Sequence, residues 1–226
     1  MPTRPRTVAF DVVETLLSLE PLRPRFADAG LAPDLLERWF DRLLRDGMAL
    51  TLAGDYANFP AVGAAALKTL ARGDLDDDTI ARVLAGFHEL PAHPDVEPAM
   101  RVLSDAGISM VCLSNGTAET TTRFLEHNAL DHHVDQVISV ADVHSWKPPV
   151  RVYEHALHEI GRAPHDVALV AVHAFDCHGA KRAGLTTGWA DRLEGHYSDV
   201  FTPADVVGGD LVDVARQLAA LPPAVG

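Results

Sequence analysis

Five apolar runs of strand length recur along the chain: TVAFDVV (7–13), ISMVCLSN (108–115), VDQVISV (134–140), DVALVAVH (166–173) and LTTGWA (185–190). Helix-like stretches lie between them: PAMRVLSDAG (98–107), ETTTRFLEHNAL (119–130), VRVYEHALHEIG (150–161) and the segment from Gly179 to Ala183. Near-continuous apolar strands that alternate with helices predict an α/β fold, with a parallel sheet covered by crossover helices.

The first gap in this rhythm is different. From about Leu17 to Leu90 the pattern is helical throughout. LLERWFDRLLRDGMALTL sets Leu36, Trp39, Phe40, Leu43 and Leu44 near one face, as a helix would. AVGAAALKTLA is rich in strong helix formers. DDDTIARVLAGFHEL opens with acids beside Thr79, where a helix N-terminus prefers them. The Pro-rich ELPAHPDVEP (89–98) reads as the return hinge. We therefore expect a core domain of residues 1–16 and 92–226, with a helical domain, 17–91, inserted after the first strand. The terminal LPPAVG is expected to be a loose tail.

Composition narrows the function. A chain of 226 residues, 47% hydrophobic, is long enough for one such core with an insert. The formal charge is −13, from 19 basic and 32 acidic residues, which weighs against nucleic acid as a partner. A small anionic substrate stays compatible, because a site can be locally positive. No apolar run reaches the ~18 residues that suggest a membrane helix. MPTRPRTVAF leads straight into a strand without the apolar core of a secretory signal. The two cysteines, Cys112 and Cys177, do not make a disulfide scaffold and read as small apolar fillers, so a cytoplasmic location is expected.

In open α/β sheets functional groups gather beyond the carboxyl ends of the strands. Those ends carry Asp11, then Ser114 and Asn115, then Lys147 in HSWKPP, then His173 with Asp176 three residues on. Each has a bland reading alone: Asp11 as a helix cap, Ser114-Asn115 as a turn, Lys147 as a solvated loop residue. Together they bring an acid, a hydroxyl with an amide, a lysine and a second acid toward one place. His132-His133 lacks the context of a metal site and is expected at the surface.

FDVVETL, LSNG, WKPPVRVY and VHAFD resemble the four motifs of the haloacid dehalogenase superfamily, and the helical insert resembles its cap domain. The resemblance runs from near the N-terminus to about Gly184 and implies a Rossmann-like core. It also implies roles: Asp11 as the nucleophile that forms an ester, Thr15 orienting it, and Ser114, Asn115 and Lys147 holding nucleophile and substrate anion. A carboxylate serves as a covalent nucleophile while ionised, and a neighbouring ammonium favours that state.

Two valines separate the chemistries within this superfamily. Its phosphatases carry a second Asp two residues after the nucleophile and bind Mg²⁺ through hard oxygen ligands. Here those positions are Val13 and, in the fourth motif, Val172. A halide leaves without a proton, so hydrolytic dehalogenation needs neither acid nor metal, and no cofactor is expected. YANF (56–59), WKPPVRVY and HAFDCHGA resemble the (S)-2-haloacid branch. By that resemblance Val13, Phe40, Tyr153 and His173 are expected to contact substrate, with Asp176 positioning Lys147 or the hydrolytic water. A homodimer through the cap is also implied.

Three departures bear on this expectation. Phe40 follows Trp39 where the branch has a halide-accepting Arg, so turnover of chloro- and bromo-acids is expected to be weakened. Arg42 and Arg45 do not share its direction, since each helical step turns ~100°. His173 replaces an Asn of the best-studied members; it is expected to be structural, with assistance to water activation as the alternative, since an imidazole titrates near neutrality. Glu14 stands where Gly is general, and is expected to point outward. A phosphatase-like hydrolase with degenerate motifs and a non-catalytic binding protein are the competing readings.

Overall fold

The computed structural model describes residues 2–223; the last three residues of LPPAVG lie outside them. Six parallel strands form one sheet: β1 (Thr7–Phe10), β2 (Ser109–Ser114), β3 (Gln136–Ser139), β4 (Val167–Ala171), β5 (Thr186–Ala190) and β6 (Val206–Gly208). Their order is β3-β2-β1-β4-β5-β6. Pairing is parallel throughout, with Val8 opposite Met110 on one side and Ala168 on the other. The chain steps outward from β1 in both directions, so β1 is the switch point at which a crevice opens at the strand C-termini.

The period of two along β1 divides the core. Val8 and Phe10 pack in the cluster that holds Met100, Leu103, Val214 and Leu218, from α5 (Val96–Asp105) and α9 (Leu211–Ala220). Ala9 packs in the opposite cluster with Val152 and Tyr153 of α7 (Val150–Ile160) and Ala180 of α8 (Ala174–Arg182). Helix α6 (Ala118–His127) completes the crossovers, and the Thr117 hydroxyl caps it by accepting from Thr120 N. Five strands fall within the runs expected for them. The sixth, VVG, is too short for any pattern to reveal, and α9 lies beyond the last run.

The insert is helical: α1 (Leu22–Asp28), α2 (Leu35–Ala53), α3 (Phe59–Leu70) and α4 (Asp77–Ala85), followed by a 3₁₀ turn at Gly86–Glu89. Trp39 is its centre, fully buried, with Nε1 donating to Gly63 O at 2.9 Å and its ring edge-on to Phe26. Where the chain leaves and re-enters the core, Leu17 bridges Ala92, and His93 N donates to Leu16 O at 2.9 Å.

A second tie joins the insert to the core. Trp146, in the loop after β3, is fully buried; its backbone N–H donates to Thr51 Oγ1 and its Nε1 to Ala57 O, both at 2.9 Å. Its ring stacks on Phe59. The ring also lies flat against Gly47 of α2, where an added Cβ would fall 2.3 Å from it. Gly47→Ala therefore has to displace a fully buried indole. We expect a loss of about 1–3 kcal/mol in unfolding free energy, measured by chemical denaturation.

Candidate active site

The four strand ends meet at the switch point. Asp11 follows β1 and is 5% exposed. Lys147 and Asp176 are almost fully buried, at 0% and 1%. Lys147 Nζ donates to Asp11 Oδ1 at 2.9 Å and to Asp176 Oδ2 at 2.8 Å. Thr15 Oγ1 donates to the other oxygen of Asp11 at 2.6 Å, and accepts from Val172 N at 3.1 Å. Asn115 Oδ1 accepts from the Lys147 backbone N–H at 3.0 Å, and Ser114 Oγ accepts from Gly116 N at 2.9 Å.

Charge states follow from these contacts. Burial pushes Asp11 upward, but Lys147, His173 and the Thr15 hydrogen bond more than offset it, so its carboxyl stays below the ordinary range. Burial opposes the Lys147 ammonium, yet two flanking carboxylates raise it above a free lysine. The nucleophile candidate is thus ionised at neutral pH.

Tyr153 and Val13 do not line the cavity described below. Tyr153 is fully buried behind Asp176, and its hydroxyl donates to Asp176 Oδ1 at 2.5 Å. Burial raises its phenol well above normal, so it stays a donor. Val13, 7% exposed, bridges Leu17 in the core. The tyrosine lies close because Gly179 lets it: a Cβ there would meet Tyr153 Oη at 2.6 Å and Pro148 O at 2.5 Å.

A cavity of about 710 Å³ opens between the insert and the strand ends. Phe40, Leu44 and Met48 of α2 form one wall, and Glu14, His173 and Phe175 form part of the other. Leu43 belongs to the insert's own core, and Tyr56 packs on both core clusters. Arg45 reaches the cavity but is bound to Asp46. Cys112 and Cys177 are fully buried free thiols. Burial pushes Cys112 up to about 12, so it is inert as a nucleophile. His132 is exposed as expected, while His133 is half-buried with an unpartnered Nε2.

The metal requirement of a phosphatase does not fit this donor set. Lys147 Nζ lies between the two carboxylates that would be ligands, and Val13 and Val172 offer no side-chain oxygen.

Known proteins agree with this architecture. The family profile described as haloacid dehalogenase-like hydrolase matches residues 69–190. The chain is 32% identical over 207 residues to (S)-2-haloacid dehalogenase 1 of Pseudomonas sp. (strain CBS-3), covering 88% of this chain and 89% of that one. It is 31% identical over 187 residues to (S)-2-haloacid dehalogenase 4A of Burkholderia cepacia, covering 80% and 81%. A crystal structure of a dehalogenase with an intermediate complex superposes with a TM-score of 0.88 at 28% identity, over 97% of this chain and 99% of that one. The chain belongs to the haloacid dehalogenase-like hydrolases.

Within that family frame, two side chains contribute in ways the sequence did not reveal. Glu14 points inward, not outward. Its φ of 65° is left-handed, a conformation that glycine adopts without penalty, and this turns the carboxylate toward His173 Nε2 at 3.4 Å. Arg192, after β5, fixes that turn by donating to Glu14 O and Thr15 O while pairing with Asp95. The rule that found the other strand ends applies equally to β5, and Arg192 is the second residue beyond it.

Burial pushes Glu14 from 4.5 to about 7; the His173 charge opposes this, and Asp11 adds to it. A raised carboxyl favours the folded state when protonated. Its contribution is full below the unfolded value and is lost as pH rises through about 7. Glu14→Gln removes the charged form. We expect the variant to match wild type near pH 4.5, the unfolded value, and to exceed it well above pH 7 by on the order of 2 kcal/mol. Unfolding free energies at the two pH values test this.

Proposed function

We propose that the chain is a metal-independent hydrolase that removes halogen from small 2-haloacids through an ester on Asp11. The observation that carries this is the buried ion triad: Lys147 keeps Asp11 ionised, while the position for a leaving-group acid is occupied by Val13. A carboxylate held in this way attacks the carbon bearing the halogen, and halide leaves as a stable anion without needing a proton. Water then cleaves the ester at the Asp11 carbonyl and returns the carboxylate. Thr15 and Lys147 orient Asp11, Asp176 holds Lys147 and is itself held by Tyr153, and Asn115 fixes the Lys147 backbone. The names of the relatives, (S)-2-haloacid dehalogenases, support both the substrate class and its handedness.

Two further features go with this function. Two buried free thiols suit a reducing cytoplasm. A second copy of the chain is proposed to dock on the insert, where α2 and α3 form an apolar groove lined by Leu50, Ala53 and Val62.

The test is free halide, measured by ion chromatography, from fluoro-, chloro- and bromoacetate and both enantiomers of 2-chloropropionate. Wild type is expected to release halide equally in EDTA and in Mg²⁺, and Asp11→Asn to release none. Turnover that appeared only with Mg²⁺ would reject the proposal.

A further inference from the structure

The two stretches that join the insert to the core run side by side. Ser18 N donates to Pro91 O and His93 N to Leu16 O, both at 2.9 Å. One side chain from a distant part of the chain grips both stretches. Arg192, the second residue beyond β5, donates through Nη2 to Glu14 O at 3.0 Å and to Thr15 O, on the outgoing stretch. Through Nη1 it donates to Asp95 Oδ2 at 2.6 Å, on the returning one. Asp95 Oδ2 also accepts from Leu211 N at 2.9 Å, at the start of α9, while Oδ1 is buried without a partner. Leaving that oxygen unpaired is costly, so the aim of the carboxylate is set by the two donors on Oδ2. The Arg192 and Asp95 side chains are 19% and 12% exposed, unlike the surface ion pairs that contribute little.

The turn held by Arg192 is the one that aims Thr15. Glu14 has a φ of 65°, a backbone that a residue with a Cβ keeps only when its surroundings hold it. The next residue, Thr15, donates to Asp11 Oδ2 at 2.6 Å. A guanidinium is planar and forked, so one group can serve two adjacent carbonyls and a carboxylate at once. Arg192 lies outside the lining of the large cavity. Its route to Asp11 runs through Thr15.

We propose, resting on the dehalogenase function above, that Arg192 is a positioning residue for the nucleophile: by clamping the Glu14–Thr15 turn to Asp95, it holds the Thr15 hydroxyl on Asp11. Ester formation needs an Asp11 oxygen aimed along the breaking carbon–halogen bond. Misplacement by about 1 Å from a change away from the chemistry can cost on the order of a hundredfold. Without the clamp the turn relaxes, the hydroxyl leaves Asp11 and the carboxylate loses one of its two fixed donors.

Single-turnover ester formation with (S)-2-chloropropionate, read by intact-protein mass spectrometry after rapid quench, tests this route. Arg192→Met is expected to slow ester formation about tenfold to a hundredfold. Its kcat should fall while KM stays within about twofold, since the cavity lining is intact. Arg192→Lys keeps the charge and a contact to Asp95, but a point-like ammonium does not fork to both carbonyls. It is expected to recover stability without recovering the rate, and it carries every readout if the Met variant fails to fold. In a Thr15→Val background, adding Arg192→Met is expected to slow ester formation by less than about twofold more, because both changes act through one hydroxyl.

A readout without substrate is the Asp11 carboxyl carbon by NMR. The Thr15 hydrogen bond helps to hold this carboxyl below the ordinary range, so its midpoint should rise in both Arg192 variants. The titratable and charged groups facing Asp11 are Cys112 of β2, Lys147 after β3, His173 and Asp176 beyond β4, Tyr153 of α7 and Glu14 on its own turn. Neither variant alters any of them. Losses that multiply in the double variant, ester formation at the wild-type rate in Arg192→Met, or an unmoved Asp11 midpoint would each overturn the proposal. Wild type that forms neither ester nor halide would overturn the dehalogenase function, while the Asp11 midpoint would still decide whether Arg192 acts through Thr15.

Discussion

One buried ammonium organises this molecule. Lys147, itself fully buried, sits at 2.8–2.9 Å from two carboxylates. Neither acid is tolerable there without it, since removing one partner of a buried ion cluster strands the others. The lysine is in turn fixed from every side. Asn115 holds its backbone, Tyr153 holds its second carboxylate, and the neighbouring Trp146 is plugged into the insert against Gly47 and Phe59. The loop that sets the charge of the nucleophile is therefore the same loop that docks the cap. Cap seating and nucleophile ionisation share one structural support.

The cap side of the pocket has a different character from the floor. Phe40 is 4% exposed and supplies a ring face to His173 where the branch carries a halide-accepting cation. The one arginine on the cavity wall, Arg45, is bound to its neighbour Asp46. On the core side the polar groups lining the cavity include Glu14 and His173. Arg192 stabilises that arrangement through backbone carbonyls and so holds the turn that carries Glu14 without neutralising its carboxylate directly.

Much of this was legible in the residues, for physical reasons. Apolar runs of strand length separated by helices leave few arrangements, and strand ends are where a parallel sheet presents its polar groups. Asp11, Ser114, Asn115, Lys147 and Asp176 all stand at such ends. Tyr153 was legible as a motif residue but not as a buried one, because helical position alone does not say which side of Asp176 it occupies. Glu14 was misjudged because an expectation of outward direction assumes ordinary backbone geometry, and its φ of 65° reverses the aim. Arg192 reaches across 178 positions in sequence to Glu14, a contact no local pattern encodes.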